Sequence, residues 1–317
     1  MKLLVTTYHQ AFLTPGGGES ELVELAGGFR DLGVQADIYS HLSRPLNTYD
    51  VVLHFSVHGG GEAMLEAVKS ANKPIVILPN FDFLSDDKSA YGIVKRHLDL
   101  ADLIVLRTEV EKSICVENYN IEPDKIAVIK ISVDPIYSRQ TPPQIFKEAY
   151  DIGNFVLWVG KITEHKRQLE TIEMLTGSDI NLVFIGGCQD KELLQKCRSI
   201  ASENMRFLGN MSPASEMLNA AYNECSAYLE LGDDHPGHSA IEAYVSGCPL
   251  ILKKGKWSQE YFGSDAVYLD DVDAQNLIGA IDKTVKNGRS STGDRSINDF
   301  TRAVQIEQIL TVLGGII

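Results

Sequence analysis

Chemistry concentrates in one stretch of the chain, Asp234-His235-Pro236-Gly237-His238-Ser239-Ala240-Ile241-Glu242, with Gly247-Cys248-Pro249 close behind. The run Ala227 to Leu231 before it is strand-like and Ser239 to Val245 after it has helical spacing, so the segment turns from strand into helix. Pro236 and Gly237 allow a tight turn, and Ser239 suits an N-cap or first-turn position. Unpaired amides at a helix start favour an anion or a ring of hydroxyls. Asp234 before the helix and Glu242 one turn inside it can approach one polyhydroxy ligand from two directions, accepting charge-assisted bonds from sugar hydroxyls. An acidic surface loop and a solvated glutamate would use the same residues.

A second stretch, Val159-Gly160-Lys161-Ile162-Thr163-Glu164-His165-Lys166-Arg167, places two cations around a short loop between a strand and a helix. Lys161 and Lys166 can clamp a diphosphate and neutralise charge on a departing nucleotide; surface lysines with no ligand are the alternative. A third, Pro15-Gly16-Gly17-Gly18, precedes the first helix. Consecutive glycines let backbone amides approach a phosphate, but the spacing is neither of the dinucleotide nor of the P-loop type. His54, His58 and Asn80 lie near the ends of the following strands. Asp271-Val272-Asp273 reads D-x-D, yet it sits between a strand and a helix, where capping accounts for it. With no H-x-x-x-H or C-x-x-C, no metal site is expected.

These residues need elements to hold them. Short apolar strands alternate with helices: Lys2–Thr6, Val34–Tyr39, Val51–Phe55, Pro74–Leu78, Leu103–Leu106 and Ile126–Ile131, with helices between, then a second series from Phe155–Val159 to Ala266–Leu269. This βα alternation predicts an α/β fold with two doubly wound parallel sheets. The expected domains are 1–148 and 149–317, split after Pro142-Pro143, with a terminal helix at 300–313 that can cross back to the first. Two such domains imply a cleft between them as the ligand site.

The 317 residues carry a net charge of −14, which argues against a nucleic-acid partner. Lys88, Lys95, Arg96, Arg107 and Lys112 cluster, and read as a solvated helix face. Five scattered cysteines without a paired spacing fit a reducing compartment. The opening apolar run is too short for a signal peptide and no run approaches a membrane span. A cytoplasmic protein is expected, at most peripheral to the inner face of a membrane.

Taken together, the three segments resemble the family-4 retaining glycosyltransferases of the GT-B group, over nearly the whole chain. Gly160 to Lys166 resembles that family's phosphate-binding G-R-x-x-x-x-K, with Lys161 in the arginine's place. Asp234 to Glu242 resembles its E-x7-E, with Asp234 for the first glutamate, and Glu242-Ala243 and Gly247-Cys248-Pro249 fit closely. Ala101 to Val105, Ile131 to Asp134 and Glu260 look like its other landmarks.

The resemblance implies two Rossmann-like domains: an acceptor-side domain and a nucleotide-sugar domain. It implies that Lys161 and Lys166 bind the donor diphosphate and that Glu242 bonds the ribose. Asp234, Gly237, His238 and Ser239 would face the sugar and phosphates, and Gly17 and Gly18 would close over the diphosphate. His58 and Asn80 would be sugar or acceptor contacts. By the same resemblance the donor is a UDP-, GDP- or ADP-linked sugar, no divalent metal or other cofactor is needed, and configuration is retained. The acceptor is a hydroxyl of a glycan or lipid-linked saccharide, as in bacterial surface polysaccharide synthesis. An epimerase of the same fold and a non-catalytic sugar-nucleotide binder are the competing readings. Lys161 lacks the planar fork of arginine, and Asp234 is one methylene short of glutamate.

Overall fold

The structure, a computed structural model, describes residues 1–13, 17–81, 90–232, 237–289 and 297–317. The chain forms two compact units, Met1–Ile131 with Arg302–Ile317, and Ser132–Thr301.

In the first unit the order is β1 (Lys2–Thr7), α1 (Gly17–Asp31), β2 (Gln35–Ile38), β3 (Val51–Phe55), α2 (Glu62–Ser70), β4 (Ile75–Leu78), α3 (Tyr91–Leu100), β5 (Leu103–Leu106), α4 (Glu109–Tyr119) and β6 (Ile126–Val128). All pairings are parallel, in the order β2-β1-β3-β4-β5-β6. Successive strand residues face opposite sides. Leu3, Val5, Val51 and Leu53 pack with Leu22, Leu25 and Phe29 of α1. Leu4, Val52, Ile75 and Ile77 pack with Leu65, Val68, Val94 and Leu98 of α2 and α3. With both faces covered, inner strands such as β4 and β5 are apolar on both sides, which is why they read as unbroken hydrophobic runs.

The second unit runs α5 (Ile145–Tyr150), β7 (Val156–Val159), α6 (Gln168–Leu175), β8 (Leu182–Ile185), α7 (Lys191–Ile200), β9 (Met205–Phe207), α8 (Glu216–Glu224), β10 (Ala227–Glu230), α9 (His238–Val245), β11 (Leu250–Lys253), α10 (Lys256–Phe262), β12 (Ala266–Leu269) and α11 (Ala274–Asn287). Its sheet is also parallel, ordered β12-β11-β10-β7-β8-β9. The first strand, β7, lies between β8 and β10, so the winding reverses there and opens a crevice at the carboxyl ends of β7 and β10. α12 (Arg302–Leu313) returns to the first unit, where Ile306, Ile309 and Leu313 join the α1 side of the core. A Cβ on Gly28 would lie 2.8 Å from Ile306 Cγ1, so a glycine in α1 sets how closely α12 can approach.

The division falls at 131/132 and 301/302, not at the expected 148/149 seam. The polar, proline-bearing stretch that reads as a linker is tied into the second unit by buried anchors. Tyr137 stands edge-on to Tyr222 at 5.6 Å, and its carbonyl accepts from Ser246 Oγ at 2.9 Å. The Glu224 carboxylate accepts both Phe146 N–H and Lys147 N–H at 3.0 Å.

The basic cluster is likewise not one solvated face. Arg107 is largely buried and donates to Glu21 Oε2 at 2.6 Å and to Asn80 Oδ1 at 3.0 Å. Lys95 and Arg96 pair with Asp99 and Glu66 at the surface, and Lys88 lies outside the described residues.

His54 belongs to this core and not to a site. It is fully buried in β3, its Nδ1 2.8 Å from Thr6 Oγ1 and its ring stacked 5.5 Å from His97. Burial, with the neighbouring His97 and His9, lowers its pKa from 6.5 to about 3. Between those values the unfolded chain binds the extra proton and the folded chain does not, so stability falls as pH drops below 6.5. At pH 5 the loss from this one ring is about 2 kcal/mol. Urea unfolding at pH 7 and pH 5 should show His54→Gln losing about that much less than wild type between the two.

Candidate functional site

The candidate residues of the second unit lie on the loop after β7 and on the helix that follows β10. β7 ends at Val159, and the loop beyond it is shaped by close backbone approach. Gly160 (φ +153°) donates to Ile185 O at 2.9 Å, and Ile162 N–H donates to Gly187 O at 2.9 Å. A Cβ on Gly186 (φ +152°) would lie 1.9 Å from the Gly160 carbonyl oxygen, so only glycine fits there. Gly186→Ala should cost about 3 kcal/mol. Gly177→Ala, at φ +85° but with open space around its Cβ, should cost only about 1 kcal/mol. Thermal unfolding of the two variants checks the contrast.

The loop then carries Lys161, exposed, and a 3-10 turn over Glu164–Lys166. Gln168, fully buried at the start of α6, pins the loop: its Nε2 donates to Lys161 O at 2.9 Å and its Oε1 accepts Thr163 N–H at 3.3 Å. The pinned turn swings Lys166 back over the strand ends, where its Nζ lies 3.1 Å from Glu230 Oε1 at the end of β10. Two glycines and a glutamine therefore do the positioning, and Lys166 sits far less exposed than Lys161.

Across the crevice, α9 begins at His238 with Gly237 as its cap. The starts of α7, α8 and α11 are closed by side chains: Asp190 accepts from Glu192 and Leu193 N–H, Ser215 from Leu218 N–H, and Asp273 from Asn276 N–H. Gly237 supplies no such bond. The positive end of the α9 dipole lies at this start. Asp273 caps α11, as the position of the D-x-D implied. Ser239 is a first-turn residue and not the cap. Asp234 lies outside the described residues.

Glu242, half-buried one turn along α9, accepts the Tyr222 hydroxyl on Oε2 at 2.7 Å. Tyr222 is fully buried, and burial together with the Glu242 charge raises its pKa well above 10. It therefore remains a donor and fixes the carboxylate in place. Arg289 holds the two helices that carry this pair. It donates to Tyr222 O, to Cys225 O at 2.9 Å and to Ser246 O at 3.1 Å, closing the carboxyl ends of α8 and α9 with one cation.

In the first unit, Gly17 and Gly18 open α1, and Asn80 lies just beyond β4. A Cβ on Gly18 would be 3.6 Å from Asn80 Nδ2, so these two share the carboxyl end of that sheet. Asn80 (φ +48°) is held by Arg107, whose backbone N–H also bonds Glu111. Glu111 is buried, and burial raises its pKa despite Arg107. His58 is half-buried after β3, its N–H bonded to Ser56 Oγ at 3.2 Å. Gln168, Tyr222, Glu230 and Arg289 are not apparent from sequence. Each acts through a partner elsewhere in the chain, and only the Tyr-x-Glu at the end of β10 hints at polar groups on a buried strand. Among the described residues no three His, Cys, Asp or Glu side chains converge as a metal-binding group, and no helix is long and apolar enough to cross a membrane.

Two Rossmann-like units with parallel sheets, and a crevice at a winding reversal, define the GT-B fold. Solved structures of that fold align along the entire chain. HepE of Anabaena with UDP matches at TM-score 0.77 and 15% identity, covering 99% of this chain and 100% of its own. A glycosyltransferase of Rickettsia africae matches at 0.78 and 17%, covering 99% and 98%. WaaG, a glycosyltransferase involved in lipopolysaccharide biosynthesis, matches at 0.70 and 13%, covering 99% and 100%. Residues 143–298 match the family model described as glycosyl transferases group 1. Over those residues the chain is similar to the group 1 glycosyltransferases, and it is a glycosyltransferase. No curated protein matches it by sequence.

Proposed function

We propose that this enzyme transfers a sugar from a nucleotide-sugar donor to a hydroxyl acceptor with retention of configuration and without a divalent metal. The reading rests on three features at the β7/β10 switch point: Lys166 drawn to Glu230 at the end of β10, α9 starting after that strand, and Glu242 one turn inside α9. The donor diphosphate lies against the lysines and the helix start, and its ribose hydroxyls bond the Glu242 carboxylate. As the bond from the anomeric carbon to the diphosphate oxygen breaks, Lys161, Lys166 and the helix amides take up the charge a metal ion supplies elsewhere. The acceptor oxygen attacks from the same face and passes its proton to the departing phosphate oxygen. By the sequence resemblance, Asp234 and His238 are assigned to the transferred sugar.

UDP is the first base to test, since HepE of Anabaena is described in complex with UDP and with UDP-glucose. The acceptor is a saccharide hydroxyl, in line with the role of WaaG in lipopolysaccharide biosynthesis. The enzyme works in the cytoplasm, with its acceptor presented at the inner membrane face.

Thermal shift against UDP, GDP and ADP, followed by nucleoside diphosphate release from the matching donor sugar, tests the reading. One nucleotide should stabilise the protein, and turnover should persist in EDTA. Abolition of turnover by chelator, with recovery on adding magnesium, would overturn the metal-free part. A new sugar formed without acceptor would favour an epimerase, and tight binding with no turnover a non-catalytic binder.

A further inference from the structure

Lys166 does not face the crevice with its charge uncompensated. Glu230 sits at the end of β10 with Oε1 3.1 Å from Lys166 Nζ, and its Oε2 accepts the Tyr228 hydroxyl at 2.8 Å. That hydroxyl also lies 3.3 Å from Val159 O, so the carboxylate is tied to the ends of both central strands. The Glu230 side chain is 8% exposed and that of Lys166 18%. A buried carboxylate against a lysine assigned to grip phosphates works in two opposite ways. It holds the ammonium in register and supports its charge where water is scarce. It also repels the phosphates that the lysine attracts.

We propose that Glu230 is a positioning residue of the donor site that trims its positive charge, so that the nucleoside diphosphate product leaves instead of staying bound. This rests on the assignment of Lys166 to the diphosphate. An ammonium has three N–H donors, so a bond to Glu230 does not by itself exclude one to a phosphate oxygen. The lysine therefore keeps its partner when the donor arrives, and the cost of that partner is a weaker hold on product. The trimmed charge is a property of this chain's strand end, where a neutral residue would leave the lysine's full charge to the ligand.

The test is Glu230→Gln, which keeps the shape and an acceptor oxygen for Lys166 but removes the charge; the amide NH2 then stands where Oε2 accepted from Tyr228, and the Tyr228 hydroxyl turns to donate to Val159 O. UDP binding by titration calorimetry should tighten about tenfold, and UDP dissociation by stopped flow should slow by a similar factor. Inorganic pyrophosphate should show the same gain, because the effect acts on the phosphates and not on the base. Glu230→Met, similar in volume, carries the same expectation if the Gln variant does not fold. A purely structural Glu230 would give unchanged or weaker binding in the variants, and either result overturns the proposal. The underlying site assignment fails separately: if wild type binds none of UDP, GDP or ADP, or if Lys166→Ala binds as wild type does, the donor-site reading is wrong. If Lys166→Ala loses binding but neutralising Glu230 does not tighten it, only the role of Glu230 is wrong.

Discussion

Lys166→Ala should lower turnover with the donor sugar by about 10²–10³-fold, while Lys161→Ala should lower it only about tenfold. The two lysines flank the same loop but differ in burial. Lys166 is drawn over the strand ends by the Gln168-pinned turn and lies mostly out of water, whereas Lys161 is exposed. A charge removed from water acts at a lower effective dielectric, so it stabilises a developing diphosphate far more than an exposed one does. The effect should fall more on kcat than on KM, because charge on the leaving group is larger in the transition state than in the bound donor. Lys166→Arg keeps the charge but must fit a wider fork beside Glu230, and intermediate activity is expected. Release of the nucleoside diphosphate from the matching donor sugar, followed by a coupled assay, measures all three. Equal losses for Lys161 and Lys166 would show that the burial difference is not what the chemistry uses.

What could be read from sequence and what could not separates along physical lines. The strand–helix alternation was legible because the inner strands of both sheets are buried on two faces, giving runs such as Leu103–Leu106 and Val156–Val159 whose apolar character needs no knowledge of partners. Helices with an apolar stripe, such as α7 and α11, were legible for the same reason. α5 was not: it is short, follows two prolines, and fully buries Phe146 as its main anchor. α10, seven residues beginning Lys256-Trp257-Ser258, offers too few turns for a period to show.

The candidates Lys161, Lys166, Gly237 and Glu242 could be singled out because they lie in two short segments bounded by a strand and a helix. Their supports were missed because each is remote. Glu230 meets Lys166 across 64 positions, Tyr222 meets Glu242 across 20, and Arg107 meets Glu21 across 86. Arg107 shows the cost of that blindness, since a cation in a basic run looks solvated until the buried carboxylate opposite it is known.

Glu242→Ala should weaken UDP binding by about 10–100-fold, the range for losing hydrogen bonds to a charged, partly buried acceptor. The carboxylate is fixed on one side by the Tyr222 hydroxyl, and α8 and α9 are held together by Arg289, so it meets a ribose with little ordering still to be done. Tyr222→Phe leaves the charge but frees its orientation, and a smaller loss, about threefold to tenfold, is expected. A cycle with 2′,3′-dideoxy-UDP isolates the contact. The wild type should bind the dideoxy nucleotide about as weakly as Glu242→Ala binds UDP, and the variant should not distinguish the two nucleotides. Inorganic pyrophosphate should bind both proteins alike, since it has no ribose to lose. If the variant still prefers UDP to its dideoxy form by the wild-type factor, the carboxylate does not touch the ribose, and the nucleotide must lie in the crevice in another direction.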